Sequence, residues 1–206
     1  MSVPYARSTE LDGALGITPP TTGLMAVKCG ACASGTSNQP AAFQSTKNVQ
    51  TNFGTRGPTV ESAAYELDTY GRAVVMLKTA ASVAAAFGVI DNTGFTGTAV
   101  PAIDAGTAAD DYYDVLVVFP VGGVLGTAGI KYKCSLDGGR TFGPVTALGT
   151  AVSITIPDSG GIAVDIGAAL DTVVAGDEIA FSATPPEWNT TDLTAAMTAL
   201  KSSALA

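Results

Sequence analysis

The hydrophobic and polar positions divide the chain into four stretches. Residues 1–23 have no apolar periodicity and are interrupted by proline and glycine, which predicts an extended N-terminal arm. Residues 24–81 combine apolar runs with a helical repeat, whereas residues 82–184 consist of short β-prone runs separated by turn residues. The last stretch, 185–206, returns to helical spacing. We therefore expect an α/β core built from the second and fourth stretches and interrupted by an inserted β domain.

A strand, helix and strand unit is predicted in the core. Residues 24–33 (LMAVKCGACA) and 73–79 (AVVMLKT) are apolar runs that suit buried strands. A helix is predicted over 58–70, because Pro58 tolerates a first helical position and Gly71 suits the left-handed residue that ends a helix. Positions three and four apart place five apolar side chains on one face: Val60, Ala63, Ala64, Leu67 and Tyr70. Parallel pairing of the two strands through a right-handed crossover is expected.

Two further helices complete the predicted core. Ser45 can cap a short helix that ends at about Phe53, and Asn189 or Thr190 can cap a last helix with Asp192 in its first turn. The apolar face of that last helix is formed by Leu193, Ala196, Met197 and Leu200. Only two strands are clear and none follows the last helix, so we expect other chains, or the rest of a longer product, to complete the sheet.

The inserted stretch has the pattern of an all-β domain. Its apolar runs recur at a spacing of about 8 to 12 residues, which is typical of antiparallel sandwiches and barrels. The runs are FGVI, GTAV, YYDVLVVF, IKYKCS, AVSITI, GIAVDI and DEIAFSAT. The predicted fold is therefore α/β (α+β): a small parallel or mixed sheet with flanking helices, interrupted by an inserted antiparallel β-sandwich-like domain.

Charge and composition narrow the possible partners. The chain has 10 Lys and Arg against 18 Asp and Glu, a net charge of −8, which argues against nucleic acid and anionic membranes. Charged residues are 14% of the chain, where about 25% is usual, so we expect surface that other subunits cover. Histidine is absent, which removes the commonest general base and the commonest zinc ligand. We expect no enzyme activity, no cofactor and no bound metal.

Cys29 and Cys32 form a CxxC motif that has a redox and a structural interpretation. A redox motif needs a helix N-terminus to lower the pKa of the first thiol, whereas this pair lies in a strand-like run. Strand alternation places residues i and i+3 on opposite faces. With only Cys134 in support, a four-ligand zinc site is not expected either. The favoured interpretation is that these cysteines are small buried hydrophobic residues.

The segment SLDGGRTF, residues 135–142, matches the Asp-box pattern S-x-D-x-G-x-T-F/W. In such a hairpin the Asp137 carboxylate accepts N–H groups of the turn, and Gly138 and Gly139 allow positive φ. We expect Phe142 to anchor the hairpin in the core. The structural hairpin is predicted to consist of Ser135, Asp137, Gly139, Thr141 and Phe142.

The remaining polar motifs are assigned structural roles. Acidic residues that could form an acid–base pair or a calcium site are interpreted as solvated turn and strand-edge groups: Asp110, Asp111, Asp114, Asp177 and Glu178. The glycines of VGGVLGTAGIKY are expected at a β-turn or bulge: Gly122, Gly123, Gly126 and Gly129. Trp188 follows TPPE at the end of the insertion. It is predicted to pack as an interdomain hinge, although sugar stacking is an alternative.

The order of these pieces resembles the N-terminal part of a bacteriophage contractile-tail sheath protein. The resemblance rests on DGALGITPP, MAVKCGACASGT, GPTVESAAYEL, GTAGIKYKCSLDGGRTFGP and VAGDEIAFSATPPEWNTTDLTAAMTAL. It implies a structural virion subunit that stacks around a tail tube, exchanges extended arms with its neighbours and carries a peripheral β domain. Relatives of this type are longer and continue past the last helix.

The predicted function is therefore a tail sheath-like subunit, made in the host cytoplasm and located in the virion tail. Its expected partners are copies of itself, the tail tube and other tail proteins, with no nucleic acid and no membrane. The alternative is a carbohydrate-binding or host-adhesion β module, indicated by the Asp-box, Trp188 and exposed Tyr112 or Tyr113. A third hypothesis is a CxxC oxidoreductase.

Overall fold

A computed structural model describes residues 25–104 and 106–203, so the predicted arm, 1–23, lies outside the described residues. The described chain is a mixed α+β protein, in which strands outnumber the three helices and form several small sheets, none of them a closed barrel. It divides into two compact units. Unit 1 comprises the residues up to Ala84 and from Pro186 onward, and unit 2 is Ala85–Pro185. The sequence analysis divided the chain at 81/82 and 184/185.

Unit 1 is built on a three-stranded sheet in the order β1, β3, β2. Strand β1 (Ala26–Gly30) runs parallel to β3 (Val74–Lys78), and β2 (Ala41–Phe43) runs antiparallel to β3 on its other side. The sequence analysis missed β2, because three residues after a turn-rich loop show no apolar repeat. The sheet is therefore mixed, with β3 fully enclosed between two partners.

Three helices cover this sheet at the bounds that their local signals predict. They are α1 (Thr46–Phe53), α2 (Pro58–Tyr70) and α3 (Thr190–Lys201). Ser45 caps α1 by accepting a backbone N–H through its hydroxyl oxygen. Gly71 ends α2 in the left-handed conformation, with φ 62°. The three helix predictions are confirmed.

The helices bury the two faces of the sheet separately. Helices α1 and α2 cover one face, in a cluster formed by Val49, Phe53, Val60, Ala63, Leu67, Val74 and Met76. Helix α3 covers the other, in a cluster formed by Val75, Leu77, Ala196 and Leu200. Tyr70 was expected on the buried face of α2, and this is wrong: it is 56% exposed, because the buried stripe ends at Leu67 one turn earlier.

The described residues of unit 2 form ten strands, most of them short. They are β4 (Ala86–Phe87), β5 (Ala102–Ile103), β6 (Tyr113–Val121), β7 (Gly123–Val124), β8 (Lys131–Ser135), β9 (Thr146–Ala147), β10 (Ser153–Thr155), β11 (Ala163–Asp165), β12 (Thr172–Val173) and β13 (Glu178–Thr184). The sheet orders are β4-β13-β6-β8-β9, β10-β11-β5 and β12-β7, and every pair of these strands is antiparallel.

Alternation along the long strands explains the core of unit 2. Strand β6 buries every second side chain from Tyr113 to Phe119, and β13 buries Ile179, Phe181 and Ala183. The run GTAV was expected to be a strand, and this is wrong. At Gly97 the backbone passes so close to the carbonyl of Thr172 that an added Cβ would clash with it. Close contacts of this kind, rather than strand pairing, hold the segment in place.

Candidate functional site

The outer edge of β1 is the clearest interaction feature of unit 1. Within the described residues, β1 is hydrogen-bonded to β3 alone, so its other edge carries a row of unpaired backbone N–H and C=O groups. Helices cover both faces of this sheet. A partner can therefore approach the sheet through its edge, where a further strand would satisfy those groups.

The CxxC motif lies at the end of this edge strand. Cys29 packs in the cluster on the α3 side of the sheet, whereas Cys32, past the strand, packs in the cluster on the α1 and α2 side. Burial raises the pKa of Cys29. Burial raises the pKa of Cys32 to about 11, although the Lys78 ammonium lowers it. Both thiols are half-buried rather than fully buried as expected, and both shifts oppose the thiolate that redox chemistry needs.

The Asp-box turn connects β8 to β9 and has the predicted hydrogen bonds. The Ser135 hydroxyl donates to Asp137 Oδ1 at 2.7 Å and accepts the Gly139 N–H at 2.8 Å. Thr141 donates its N–H to Oδ1 of the same carboxylate at 2.8 Å and its hydroxyl to Oδ2 at 2.6 Å. Gly138 and Gly139 have positive φ, as predicted. The structure thus brings Ser135, Asp137, Gly139 and Thr141 together.

The electrostatics of this turn indicate a structural role. The hydroxyl of Thr141, its N–H and the hydroxyl of Ser135 lower the pKa of Asp137 to about 2. The carboxylate is therefore ionised at neutral pH. Both of its oxygens accept hydrogen bonds inside the turn, which is a poor arrangement for a general acid or base.

Phe142 does not anchor the hairpin in the core, contrary to expectation. Its side chain is 38% exposed, and Lys133 Nζ lies 3.9 Å from the centre of its ring. The reason is the direction of the turn. The Gly138 N–H donates to the backbone oxygen of Asp114 at 2.8 Å, which holds the turn against β6 where the Asp114 side chain is exposed.

Asp177 is not a solvated acid, and this expectation is also wrong. The residue is 1% exposed. Its carboxylate accepts four hydrogen bonds, three from residues distant in the sequence and one from its own turn. Thr96 donates its N–H and its hydroxyl to Oδ1, both at 2.8 Å. Val174 and Gly97 donate N–H groups to Oδ2 at 2.8 and 3.2 Å. Burial raises the pKa of Asp177, but these hydrogen bonds outweigh burial and the pKa is lowered.

The other predicted acids are separate groups with local roles. Asp110 accepts the Tyr113 hydroxyl at 2.6 Å, while Asp114 and Glu178 are exposed on strands. Asp111 accepts the backbone N–H of the next residue. No group of three or more potential metal ligands occurs in the part of the chain that the structure describes. Of the two tyrosines expected to be exposed, Tyr112 is 53% exposed, whereas Tyr113 is buried.

The predicted glycine bulge lies at the end of β6. The register between β6 and β8 shifts between Val118 and Val121, directly before Gly122. Gly126 and Gly129 have φ of 84° and 126°, which other residues rarely adopt. The expectation of a turn is confirmed for Gly126 and Gly129, whereas Gly123 lies in β7.

The segment around Trp188 joins the two parts of the sequence that form unit 1. Trp188 is 42% exposed, and its predicted hinge role stays a prediction. The sequence analysis missed a contact beside it. The Asp192 carboxylate accepts the hydroxyl of Ser82 at 2.7 Å, the N–H of Ser82 at 3.1 Å and the N–H of Asn189 at 3.1 Å. These hydrogen bonds lower the pKa of Asp192.

No protein-family model, curated protein sequence or solved structure matches the chain. Among the described residues, none of the helices has the length and apolar character needed to cross a bilayer.

Proposed function

We propose that this protein is a structural subunit of a bacteriophage tail, a sheath-like protein that assembles into a helical or ring-stacked layer around the tail tube. Unit 1 is the α/β core that meets neighbouring copies, and unit 2 is a β-sandwich-like domain inserted into it. The partners are copies of the same chain, the tail tube and other tail proteins. The kind of assembly is proposed from the sequence motifs that resemble contractile-tail sheath proteins.

The observation on which the proposal depends is the outer edge of β1, which no strand of the described residues pairs with. Both faces of its sheet are covered, so addition of a strand is the association that this sheet offers. An extended arm from a neighbour would contribute backbone hydrogen bonds along the edge. A contact of this kind between different surfaces of identical subunits need not close, and when repeated it generates a helical layer.

The sparse charge of the chain supports permanent contacts. Only 14% of its residues are charged. Obligate interfaces are large, above about 2,000 Å², and more apolar than transient ones. A subunit that stays in its assembly has such a surface.

Unit 2 supports the peripheral position proposed for it. Its core cluster draws side chains from the five-stranded sheet and from the three-stranded sheet, as two sheets packed face to face would. Its turns are closed by its own carboxylates, those of Asp137 and Asp177. These two turns take their hydrogen bonds from within unit 2, which suits a domain that faces outward.

The test compares the full chain with a chain that lacks residues 1–20. A chain that lacks residues 204–206 is the matched control, since it is shortened at the other end. Light scattering and electron microscopy of concentrated protein measure assembly, and circular dichroism measures folding. We expect the full chain and the control to assemble, and the chain without residues 1–20 to stay folded but assemble weakly.

Two results would contradict the proposal. A full chain that remains strictly monomeric and does not enter tails would refute the assembly function. Normal polymerisation of the chain without residues 1–20 would refute arm exchange alone and leave assembly through another surface.

A further inference from the structure

The outer face of the five-stranded sheet of unit 2 has an ordered pattern of charge. One row of paired residues across β13, β6 and β8 packs in the core of unit 2: Ile179, Val117 and Cys134. The next row along these strands consists of Glu178, Val118 and Lys133. Alternation places this second row on the opposite, outer face, where Glu178 is exposed. The row therefore reads acid, apolar, base.

The Asp-box turn limits how much of this face is open. It covers the sheet at Leu116, because a Cβ added to Gly139 would lie 2.9 Å from Cδ2 of Leu116. On the β8 side Lys133 Nζ lies 3.9 Å from the centre of the Phe142 ring. The ring contacts one side of the ammonium group, so the other N–H groups can still pair with a carboxylate. The row that contains Val118 is thus the open part of the face.

Exposed apolar side chains border the face on both sides. Phe142 is 38% exposed on the β8 side. On the other side Val89 is 93% exposed, and its neighbours Gly88 and Asp91 donate backbone N–H groups to β13. The face therefore combines a charged row with apolar borders, as protein interfaces do.

A second copy of the chain fits this pattern when a two-fold axis runs along β6, between the two facing sheets. Rotation about this axis places β8 of one copy opposite β13 of the other and leaves every residue in its own row. Lys133 of each copy then faces Glu178 of the other, and the two Val118 side chains meet at the axis. An axis that runs across the strands would instead set Lys133 against Lys133. The charges therefore select the first arrangement.

We propose that the outer face of the five-stranded sheet of unit 2 pairs with the same face of a second copy, through two ion pairs of Lys133 with Glu178 around a Val118 contact. This contact is separate from the edge of β1. The inference goes beyond the proposed function and does not rest on it, because it holds whether or not unit 1 assembles.

The size of the face predicts how strong the contact is. Five strands about 4.8 Å apart, over about five residues of 3.4 Å each, give roughly 400 Å² per copy. A stable interface buries about 800 Å² per partner. The contact should therefore be weak between free chains and become occupied at high protein concentration, or where another contact keeps two chains close together.

The first test reverses the charges in the full chain and measures dimer formation by sedimentation equilibrium at high protein concentration. Lys133→Glu and Glu178→Lys each place like charges opposite one another, so each should raise the dissociation constant of the dimer at least about tenfold. An equimolar mixture of the two variants should restore dimers, because every acid then faces a base. The double variant should restore them for the same reason.

Two control variants make the same changes in net charge away from this face. They are Lys47→Glu in α1 and Asp165→Lys in β11, and both should leave the dissociation constant nearly unchanged. Glu178→Lys is the sharper variant, because it reduces the net charge of −8, and general repulsion alone would then predict tighter association. A mixture that dimerises no better than its two components would overturn the proposal. Growth beyond dimers that Lys133→Glu abolishes would overturn the two-fold arrangement.

The second test detects the contact directly, also if unit 1 forms larger assemblies. A carbodiimide joins a lysine amine to a carboxylate that touches it. It is applied to a mixture of nitrogen-15-labelled and unlabelled chains, and mass spectrometry identifies the joined peptides. We expect Lys133 of one chain to be joined to Glu178 of the other, and the exposed Lys131, two residues along β8, to be joined far less. Products in which Lys133 and Glu178 are joined only within one chain would overturn the proposal.

Discussion

The internal contacts that stabilise unit 1 differ from those that stabilise unit 2. In unit 1, three capped helices bury the two faces of a small sheet, and the edge of β1 is left open within the described residues. In unit 2, short strands bury one apolar cluster, and carboxylates tie the loops between them. Asp177 receives four hydrogen bonds from the loop at Thr96 and the turn at Val174.

The contrast indicates where the proposed association would occur. In unit 2, the carboxylates of Asp137 and Asp177 accept hydrogen bonds from turns of the same unit. In unit 1, helices cover both faces of the sheet, and within the described residues the outer edge of β1 is open to another backbone. A substitution that weakens one unit should therefore leave the other intact, and the following measurements test that separation.

Asp177→Ala should give the largest effect, and it should be confined to unit 2. Loss of the carboxylate leaves three part-buried N–H groups and a hydroxyl unpaired, which costs on the order of 3 kcal/mol. Amide hydrogen exchange should accelerate in β6 and β13 and remain unchanged in β3. Glu178→Ala, the exposed neighbour, is the control. Equal acceleration in β3 would show that the two units unfold together.

Acid should weaken unit 2 more than unit 1. The lowered pKa values of Asp137, to about 2, and of Asp177 mean that both carboxylates stabilise the fold above the ordinary value of 3.8. That stability is lost as the pH falls from about 4 towards 2. Urea unfolding can be followed at Trp188 for unit 1 and at fluorinated Tyr132 for unit 2.

The control for the acid measurement is Asp137→Asn, which cannot titrate. This variant should flatten the pH dependence of the free energy of unfolding of unit 2. The pH dependence of unit 1, where the pKa of Asp192 is lowered, should not change. If the stability reported by Trp188 fell more steeply with acid than the stability reported by Tyr132, unit 1 would be the more acid-sensitive unit.

Ser45→Ala should give the smallest effect, and only in unit 1. The cap is exposed and its hydrogen bond to Asn48 is long, 3.4 Å, so the loss should be about 0.5 kcal/mol, the low end for a helix cap. Urea unfolding followed at Trp188 measures it. Ser62→Ala, an exposed serine inside α2, serves as the control. A loss as large as that of Asp177→Ala would mean that α1 has a role beyond its own cap.

Local signals made part of this fold predictable. Ser45, Gly71 and Asn189 mark helix ends through bonds that each forms within a few residues, and so the helix bounds could be read from the sequence. The long strands β6 and β13 alternate clearly between buried and exposed positions. The Asp-box turn is equally local, since its side-chain hydrogen bonds lie within residues 135–141, and two backbone hydrogen bonds join it to Asp114 of β6.

Features fixed by distant contacts were not predictable. Strands of two or three residues, such as β2 and β12, exist because a partner elsewhere in the chain pairs with them. The donors of Asp177 include Thr96, 81 residues away, so the burial of Asp177 has no local signature in the sequence. Phe142 matches the motif, but the side on which its turn folds is set by Asp114 in β6.

Ser82 and Asp192 join two points of unit 1 that are 110 residues apart in the sequence. The backbone bridge between Val83 and Glu187 extends that junction to the places where the chain departs for unit 2 and returns. Contacts within unit 1 hold these two places together, and they offset the entropy cost of closing the intervening segment into a loop. Residues 85–185 are therefore a segment that can be exchanged in evolution. A lineage can replace them without changing the contacts that hold unit 1 together.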